Sequence, residues 1–386
     1  MKKNCIATDK IKKKSLFSPR ILPAEKKEYF PAAIEIGSSS VKLMQIGKNK
    51  NRYEIAKIAY APLDVNSQTR KALAIKDNVK KLVEENQIKG EVVSSLPINE
   101  IHILNYILPN IPVEEVGKAI AWKLKRNPPP GIVFDAVSFD YISCVNSKDE
   151  FNKEIRALAF VVSKEAVKER IEFFRKFSLE LIALQPQPYA VFNALFWMGK
   201  IHEKETVLVL YFGADRVSIS VVHFGVPYLI RPLIISGNTF TEAIANYYQF
   251  DRQKAEELKK REGLKHWVMD RNKEGQESSP ESLCGVALAS QLENVVMDIE
   301  HSFKYFSHQI MKGRVTSFDR LILCGGGAAL SNLDSFLAER LVVPVDVFDP
   351  LSAFKLCLKQ ELAPGVKDNS FGFADVLGLA VRDIEW

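Results

Sequence analysis

The chain has 386 residues, 47% hydrophobic and 26% charged, which is the composition of an ordinary globular protein with room for two or three domains. No apolar run reaches the roughly 18 residues that span a bilayer, and five scattered cysteines (Cys5, Cys144, Cys284, Cys324, Cys357) without a C-x-x-C pair argue against a disulfide framework or zinc site. The net charge of +6 is confined to residues 1–30, where nine Lys/Arg face three acids; the neutral remainder does not read as a nucleic-acid binder.

The basic tail, 1–30, has no apolar core segment and is not expected to be a secretory signal. It reads as a disordered segment that either stays solvated or touches an anionic membrane surface. From Ile34 onward apolar residues alternate through Tyr60, which predicts a three-strand meander. A helix follows over 71–86 with Leu73, Ile75, Val79 and Leu82 on one face, then a buried strand over 92–96. Residues 98–165 read as a compact insert. It begins with an alternating strand at 101–108 and a helix from Pro112 to about Lys125, which the Asn127-Pro128-Pro129-Pro130-Gly131 turn ends. Two more strands follow at 137–145 and 155–162. A helix over 166–177 and the turn Gln185-Pro186-Gln187-Pro188 lead into a helix through Met198.

A second lobe starts near residue 204. Strands are expected over 206–235, then a helix over 239–248 and a short helix over 252–260 that Asp251 can cap. Residues 264–282 are polar and read as a loop. A long amphipathic helix covers 283–311. Strand 320–323, helix 331–340, strand 345–348 and a last helix over 372–382 complete the chain.

One pattern occurs twice along this order. Ala33-Ile34-Glu35-Ile36-Gly37-Ser38-Ser39-Ser40-Val41-Lys42 and Leu210-Tyr211-Phe212-Gly213-Ala214-Asp215-Arg216-Val217-Ser218 are each an apolar strand, a glycine turn and an alternating strand. A third element, Leu321-Ile322-Leu323-Cys324-Gly325-Gly326-Gly327, runs from a buried-type strand into glycines. Glycine hairpins can cradle phosphate because their N–H groups face a ligand with no Cβ in the way. In that role Ser38, Ser39 and Ser40 add hydroxyls and Lys42 adds charge. The same residues equally suit a plain hairpin with small turn residues.

In these motifs the chain resembles the PilM family of type IV pilus assembly, within the actin, heat-shock chaperone and sugar-kinase superfamily. The resemblance runs from about 31 to 383. It is carried by the first hairpin, by Thr241-Glu242-Ala243-Ile244 and Ala255-Glu256-Glu257-Leu258-Lys259, by Asp298-Ile299-Glu300-His301-Ser302-Phe303-Lys304, and by Gly325-Gly326-Gly327 with Leu337-Ala338-Glu339-Arg340-Leu341. It implies an α/β, two-lobed actin-like fold with a duplicated ribonuclease-H-like core. Lobe 1 comprises 31–97 and 166–203, with the insert subdomain at 98–165. Lobe 2 comprises 204–386, with a nucleotide-side subdomain at about 236–315.

The resemblance further implies ATP and Mg2+ between the lobes. Gly37, Ser38, Ser39, Ser40, Lys42, Gly213 and Ala214 would hold phosphates. Glu256, Lys259, Gly325, Gly326 and Gly327 would hold the nucleoside, and Glu35 the metal shell. It also implies a cytoplasmic scaffold peripheral to the inner membrane, able to self-associate. Its groove beside the insert, bordered by Trp122, Lys123, Lys125 and Arg126, would take the N-terminal segment of a PilN-like membrane protein. Nucleotide would set lobe closure and so bias that groove.

The chain departs from the family pattern where acids are expected. Glu35 replaces an aspartate, Tyr211 stands at the acid position of the second hairpin, and Gln187 stands in the connecting segment. Gln187 retains the capacity to orient a water but cannot act as a base. Asp215 reads as a turn residue, and the pair Glu256/Lys259 reads equally as an exposed salt-bridged face. Weak or absent hydrolysis follows. The rival readings are a sugar or acetate kinase, for which Asp135 and Asp140 lie in the insert rather than beside the cleft, and an FtsA-like filament protein, for which 380–386 is too short and charged to be a membrane helix.

Overall fold

A computed structural model describes residues 29–49, 52–63, 68–144, 154–265, 280–354 and 362–384. All but the last two residues of the basic tail, and most of the polar stretch expected at 264–282, lie outside the described residues.

The expected meander forms as β1 (Ala32–Ile36), β2 (Ser40–Asn49) and β3 (Arg52–Pro62). Helix α1 (Gln68–Glu85) carries the chain across to β4 (Gly90–Leu96), which pairs parallel with β1. Together with β8 (Leu179–Pro186) they make a five-stranded sheet in the order β3-β2-β1-β4-β8. Strand β8 was not expected. Its run Leu-Glu-Leu-Ile-Ala-Leu-Gln-Pro ends in the proline that reads as a turn, yet it pairs parallel with β4 as an edge strand. Edge strands tolerate a terminal proline because no ladder N–H is needed there.

Alternation assigns this sheet two faces. Ala32, Ile34, Val41 and Leu43 pack with Val79, Leu82 and Val83 of α1, and with Phe174 of α3 (Lys164–Arg175). Ala33, Met44, Ile46 and Val93 point the other way, into a larger core shared by both lobes. Glu35 and Lys42 follow the same parity and so project into that shared interior.

The second lobe repeats the plan. Strands β9 (Thr206–Phe212), β10 (Val217–His223), β11 (Val226–Leu233), β12 (Arg320–Cys324) and β13 (Val345–Val347) form a sheet ordered β11-β10-β9-β12-β13. One face packs on α5 (Gly237–Tyr248), α6 (Arg252–Glu262), α7 (Pro280–Tyr305) and α8 (Leu333–Leu341) through Leu210, Phe212, Phe240, Leu292 and Phe336. The other, with Val207, Val209, Val222 and Ile322, joins the shared core. Helix α7 passes into a π-helical turn at Phe306–Ile310, and the positive φ of Lys312 and Gly313 stops it where the sequence predicted.

Between the sheets lie α4 (Gln187–Trp197) and α10 (Ala374–Ala380), which follows the short helix α9 (Pro364–Lys367). Helix α10 packs against α4 and against β1, β2 and β4 of the first sheet. Chain order alone would leave residues 374–380 in the second lobe; the structure seats them on the first.

A third sheet, ordered β5-β7-β6, is built from β5 (His102–Pro109), β6 (Val137–Cys144) and β7 (Glu154–Ser163), with α2 (Val113–Arg126) on one face. Alternation in β7 sends Ile155, Ala157 and Ala159 toward Val116 and Ile120 of α2. Leu158, Phe160 and Val162 enter the shared core. No helix among the described residues is long and apolar enough to cross a membrane.

Candidate functional site

The two glycine hairpins have the same local geometry. Gly37 N donates to the Ser40 carbonyl at 2.9 Å, and Gly213 N donates to the Arg216 carbonyl at 2.8 Å. The start of α5 docks onto the second hairpin: Gly237 N donates to Gly213 O at 3.0 Å and Asn238 N to Ala214 O at 2.8 Å. A Cβ on Gly237 would be tight, 3.2 Å from Gly213 O and 3.3 Å from Ala214 Cα, so the hairpin would have to give by a few tenths of an ångström. Asp215 accepts from Asn238 Nδ2 and faces Lys71 of α1 at 3.6 Å, a half-exposed ion pair across the cleft.

Behind the first hairpin, strand register puts Glu35 opposite Lys42. Their side chains meet at 3.0 Å, 5% and 7% exposed respectively. Lys42 Nζ also lies 3.9 Å from Asp375, which is fully buried on α10. Gly372, in the turn before α10, covers the lysine stem: a Cβ on it would touch Lys42 Cε at 3.4 Å. In the second lobe the same register sets Tyr211 opposite Ser218, and the Tyr211 hydroxyl donates to Asp375 at 2.9 Å. The four side chains form one buried cluster.

Its electrostatics follow from two carboxyl groups sharing one ammonium. Burial, with the nearby charge of Asp375, pushes the Glu35 carboxyl up to about 7 against the pull of Lys42. Burial opposes the Lys42 ammonium, but Asp375 and Glu35 outweigh it and raise its pKa. Burial and the same two acids hold the Tyr211 phenol well above its ordinary value, so it is a neutral donor.

Across the cleft, Lys259 Nζ reaches Glu256 at 2.6 Å, Thr241 Oγ1 at 2.8 Å and the Gly237 carbonyl at 2.9 Å. Thr241 Oγ1 donates to Glu256 at 2.5 Å. This partly buried network ties α6 to the start of α5. Burial lowers the Lys259 pKa; on Glu256 burial is outweighed by Lys259, and its pKa falls.

The sequence model of the family described as "Type IV pilus assembly protein PilM" matches residues 33–384. The chain belongs to the PilM family. Among solved structures, it is similar to the PilM-PilN type IV pilus biogenesis complex at a TM-score of 0.71, with 23% identity over 93% of this chain and 100% of that one. Similarity to the ethanolamine utilization protein EutJ from Carboxydothermus hydrogenoformans has a TM-score of 0.49, with 14% identity over 93% of this chain and 90% of that one. For MreB 5 of Spiroplasma citri bound to AMPPNP the TM-score is 0.49, with 13% identity over 92% and 96%. The two-lobed actin-like fold expected from the sequence is the one observed.

In this PilM-family chain the three glycines expected to meet a nucleoside separate into two kinds. A Cβ on Gly325 would lie 2.7 Å from the Phe212 carbonyl, and one on Gly327 would lie 2.2 Å from the Phe212 ring. Packing onto β9 accounts for both. A Cβ on Gly326 meets nothing within 4 Å. Gly327→Ala is therefore expected to destabilise the fold by about 2 kcal/mol. Gly326→Ala should leave the melting curve unchanged, so any loss of ATP affinity in that variant reports a ligand approaching the backbone there.

Gln187 opens α4 and is 8% exposed, its Nε2 without a partner among the described residues. Glu35 does not stand free as a metal ligand, because Lys42 occupies it. Among the described residues no group of three or more His, Cys, Asp or Glu gathers to hold a metal. Mg2+ beside a nucleotide keeps several waters and takes only one or two carboxylates; of the two carboxylates in this cluster, Glu35 is paired with Lys42 and Asp375 accepts from Tyr211, so neither stands free to hold a hydrated ion. Sequence reading passed over Asp375 entirely. The signal for it is a lone acid inside the apolar run 373–380, a pattern that marks a buried charge with a distant partner.

Proposed function

We propose that this chain is a scaffold of type IV pilus assembly that binds an extended N-terminal segment of a PilN-like inner-membrane protein. ATP is held between the lobes by the tips of the two hairpins (Gly37, Ser38, Ser39 and Ser40; Gly213 and Ala214) and by the open backbone at Gly326, and it is hydrolysed weakly or not at all. The protein works in the cytoplasm beneath the inner membrane. Family membership and the likeness to a PilM-PilN complex support the pilus assignment.

The observation that carries a scaffold over an enzyme is the state of Tyr211. Where a metal-holding acid would be needed, a neutral phenol is bonded to Asp375, while Lys42 is held by Glu35. Phosphoryl transfer relies on metal and charge placed at the phosphates, and both charged groups here are spoken for.

An extended segment would lie beside α2, where Trp122 is 59% exposed and Arg126 stacks over it at 5.2 Å; Ile107, 45% exposed, is on the opposite face of the third sheet, paired with Arg156. Excising 98–165 would strip Leu158, Phe160 and Val162 from the shared core, so point variants are the cleaner probe. Titration calorimetry with a synthetic N-terminal peptide of the PilN-like protein should show saturable binding, weakened at least about tenfold in Trp122→Ala and unchanged in Ile107→Glu, on the opposite face. Unchanged affinity in Trp122→Ala would remove the groove from α2. Titration with ATP, with and without Mg2+, should show binding that the metal improves little. A strong Mg2+ requirement would restore an enzymatic reading.

A further inference from the structure

The buried cluster joins parts of the molecule that belong to different lobes. Tyr211 is on β9, in the second sheet. Asp375 is on α10, and α10 is fixed to the first lobe at backbone distance. A Cβ on Gly378 would lie 1.6 Å from the Ala190 carbonyl oxygen of α4, so the two helices touch there with no side chain between them. Asp375 therefore moves with β1, β2 and α4. The Tyr211 to Asp375 bond crosses the interface between the lobes.

Each atom of this contact is committed. Asp375 Oδ2 accepts from Tyr211. Its Oδ1 accepts from its neighbour Val376 N at 2.8 Å and lies 3.9 Å from Lys42. Separating the lobes at this point would leave a fully buried carboxyl short of a donor, and hydrogen bonds to buried charged groups are the costly ones to lose. The half-exposed Lys71–Asp215 pair closes the rim of the same cleft, with little energy of its own. A narrow crevice beside Tyr211, lined by Pro188, Ser218 and Ile230, separates α4 from the second sheet. The buried Ser218 hydroxyl there has no partner among the described residues, so the interface around the tyrosine is less tightly joined than the bond itself.

We infer that Tyr211 and Asp375 form an interlobe clasp that holds the two lobes closed without nucleotide. A ligand shifts a conformational equilibrium only by its differential affinity for the two states. With the closed state already secured by a side-chain bond, nucleotide is left little closure to drive. The clasp stands independently of whether ATP or a PilN-like segment binds.

Small-angle X-ray scattering on the full chain tests this, with Mg·AMPPNP as the probe. Wild type should give one compact profile with and without the nucleotide. Tyr211→Phe should expand in the absence of nucleotide. It should also raise exchange of the Val376 amide about tenfold, equivalent to about 1.4 kcal/mol of closure, while far-UV circular dichroism stays native. If Tyr211→Phe keeps the wild-type profile and exchange rate, the clasp is refuted. Should that variant fail to fold, wild type without nucleotide decides alone: a profile more extended than the one calculated from this structure overturns the inference, and a matching profile supports it.

Discussion

Replacing Gly378 by alanine is expected to cost about 4 kcal/mol. Adding a methyl group to a packed interior usually costs about 1–3 kcal/mol, and more when nothing can move aside. Here the new Cβ would lie 1.6 Å from the Ala190 oxygen, 2.5 Å from its carbonyl carbon and 3.1 Å from Ala194 N, all backbone of α4. Helix α10 cannot retreat, because its opposite side packs on β1, β2 and β4. Displacing it would also carry Asp375 away from Lys42 and Tyr211. Urea denaturation compared with wild type measures the effect, and Gly326→Ala serves as the neutral control. A loss below about 1 kcal/mol would mean that α4 and α10 do not cross as closely as described.

The second large effect is on pH dependence. The Glu35 carboxyl moves from an ordinary 4.5 to about 7 in the folded protein. Between those values the folded chain holds a proton that the unfolded chain has released. By linkage its contribution is fully present below about pH 4.5 and is lost as pH rises through about 7. The interval bounds the loss at about 3 kcal/mol. Glu35→Gln keeps the shape and removes the proton exchange, so its stability should lie nearly flat over this range relative to wild type. Above pH 7.5 the variant should equal or exceed wild type, because a second buried negative charge is gone while Lys42 retains Asp375. Melting temperatures of both proteins from pH 5 to 8 provide the check. His223, whose pKa burial lowers, titrates alike in both, so the difference isolates Glu35. Parallel curves would show that Glu35 is not the group responsible.

Much of the architecture was legible in local patterns. Period-two alternation with a glycine at the turn located both hairpins, and in the structure it also explains why Glu35 and Lys42 share a face. Helical periodicity found α1, α2 and α7 within a few residues of their ends. The miss at β8 has a local cause: its closing proline is a turn signal in sequence and an edge-strand terminus in space. The glycine run carries a second constraint. Three consecutive glycines read as one ligand motif, and two of them are also required by the ring and backbone of Phe212, a neighbour that nothing in the run itself names.

By itself the sequence determined the elements other than β8, the duplication and the membership of the PilM family, because these depend on short-range periodicity and on motifs held in order. Only the tertiary structure decided what the charged groups do. Lys42, Tyr211 and Asp375 come from three distant segments and meet because α10 returns to the first lobe and settles against α4. That return depends on how two interiors fit at the level of one missing methyl group. Such steric fit is a property of the packed chain, and no local pattern encodes it.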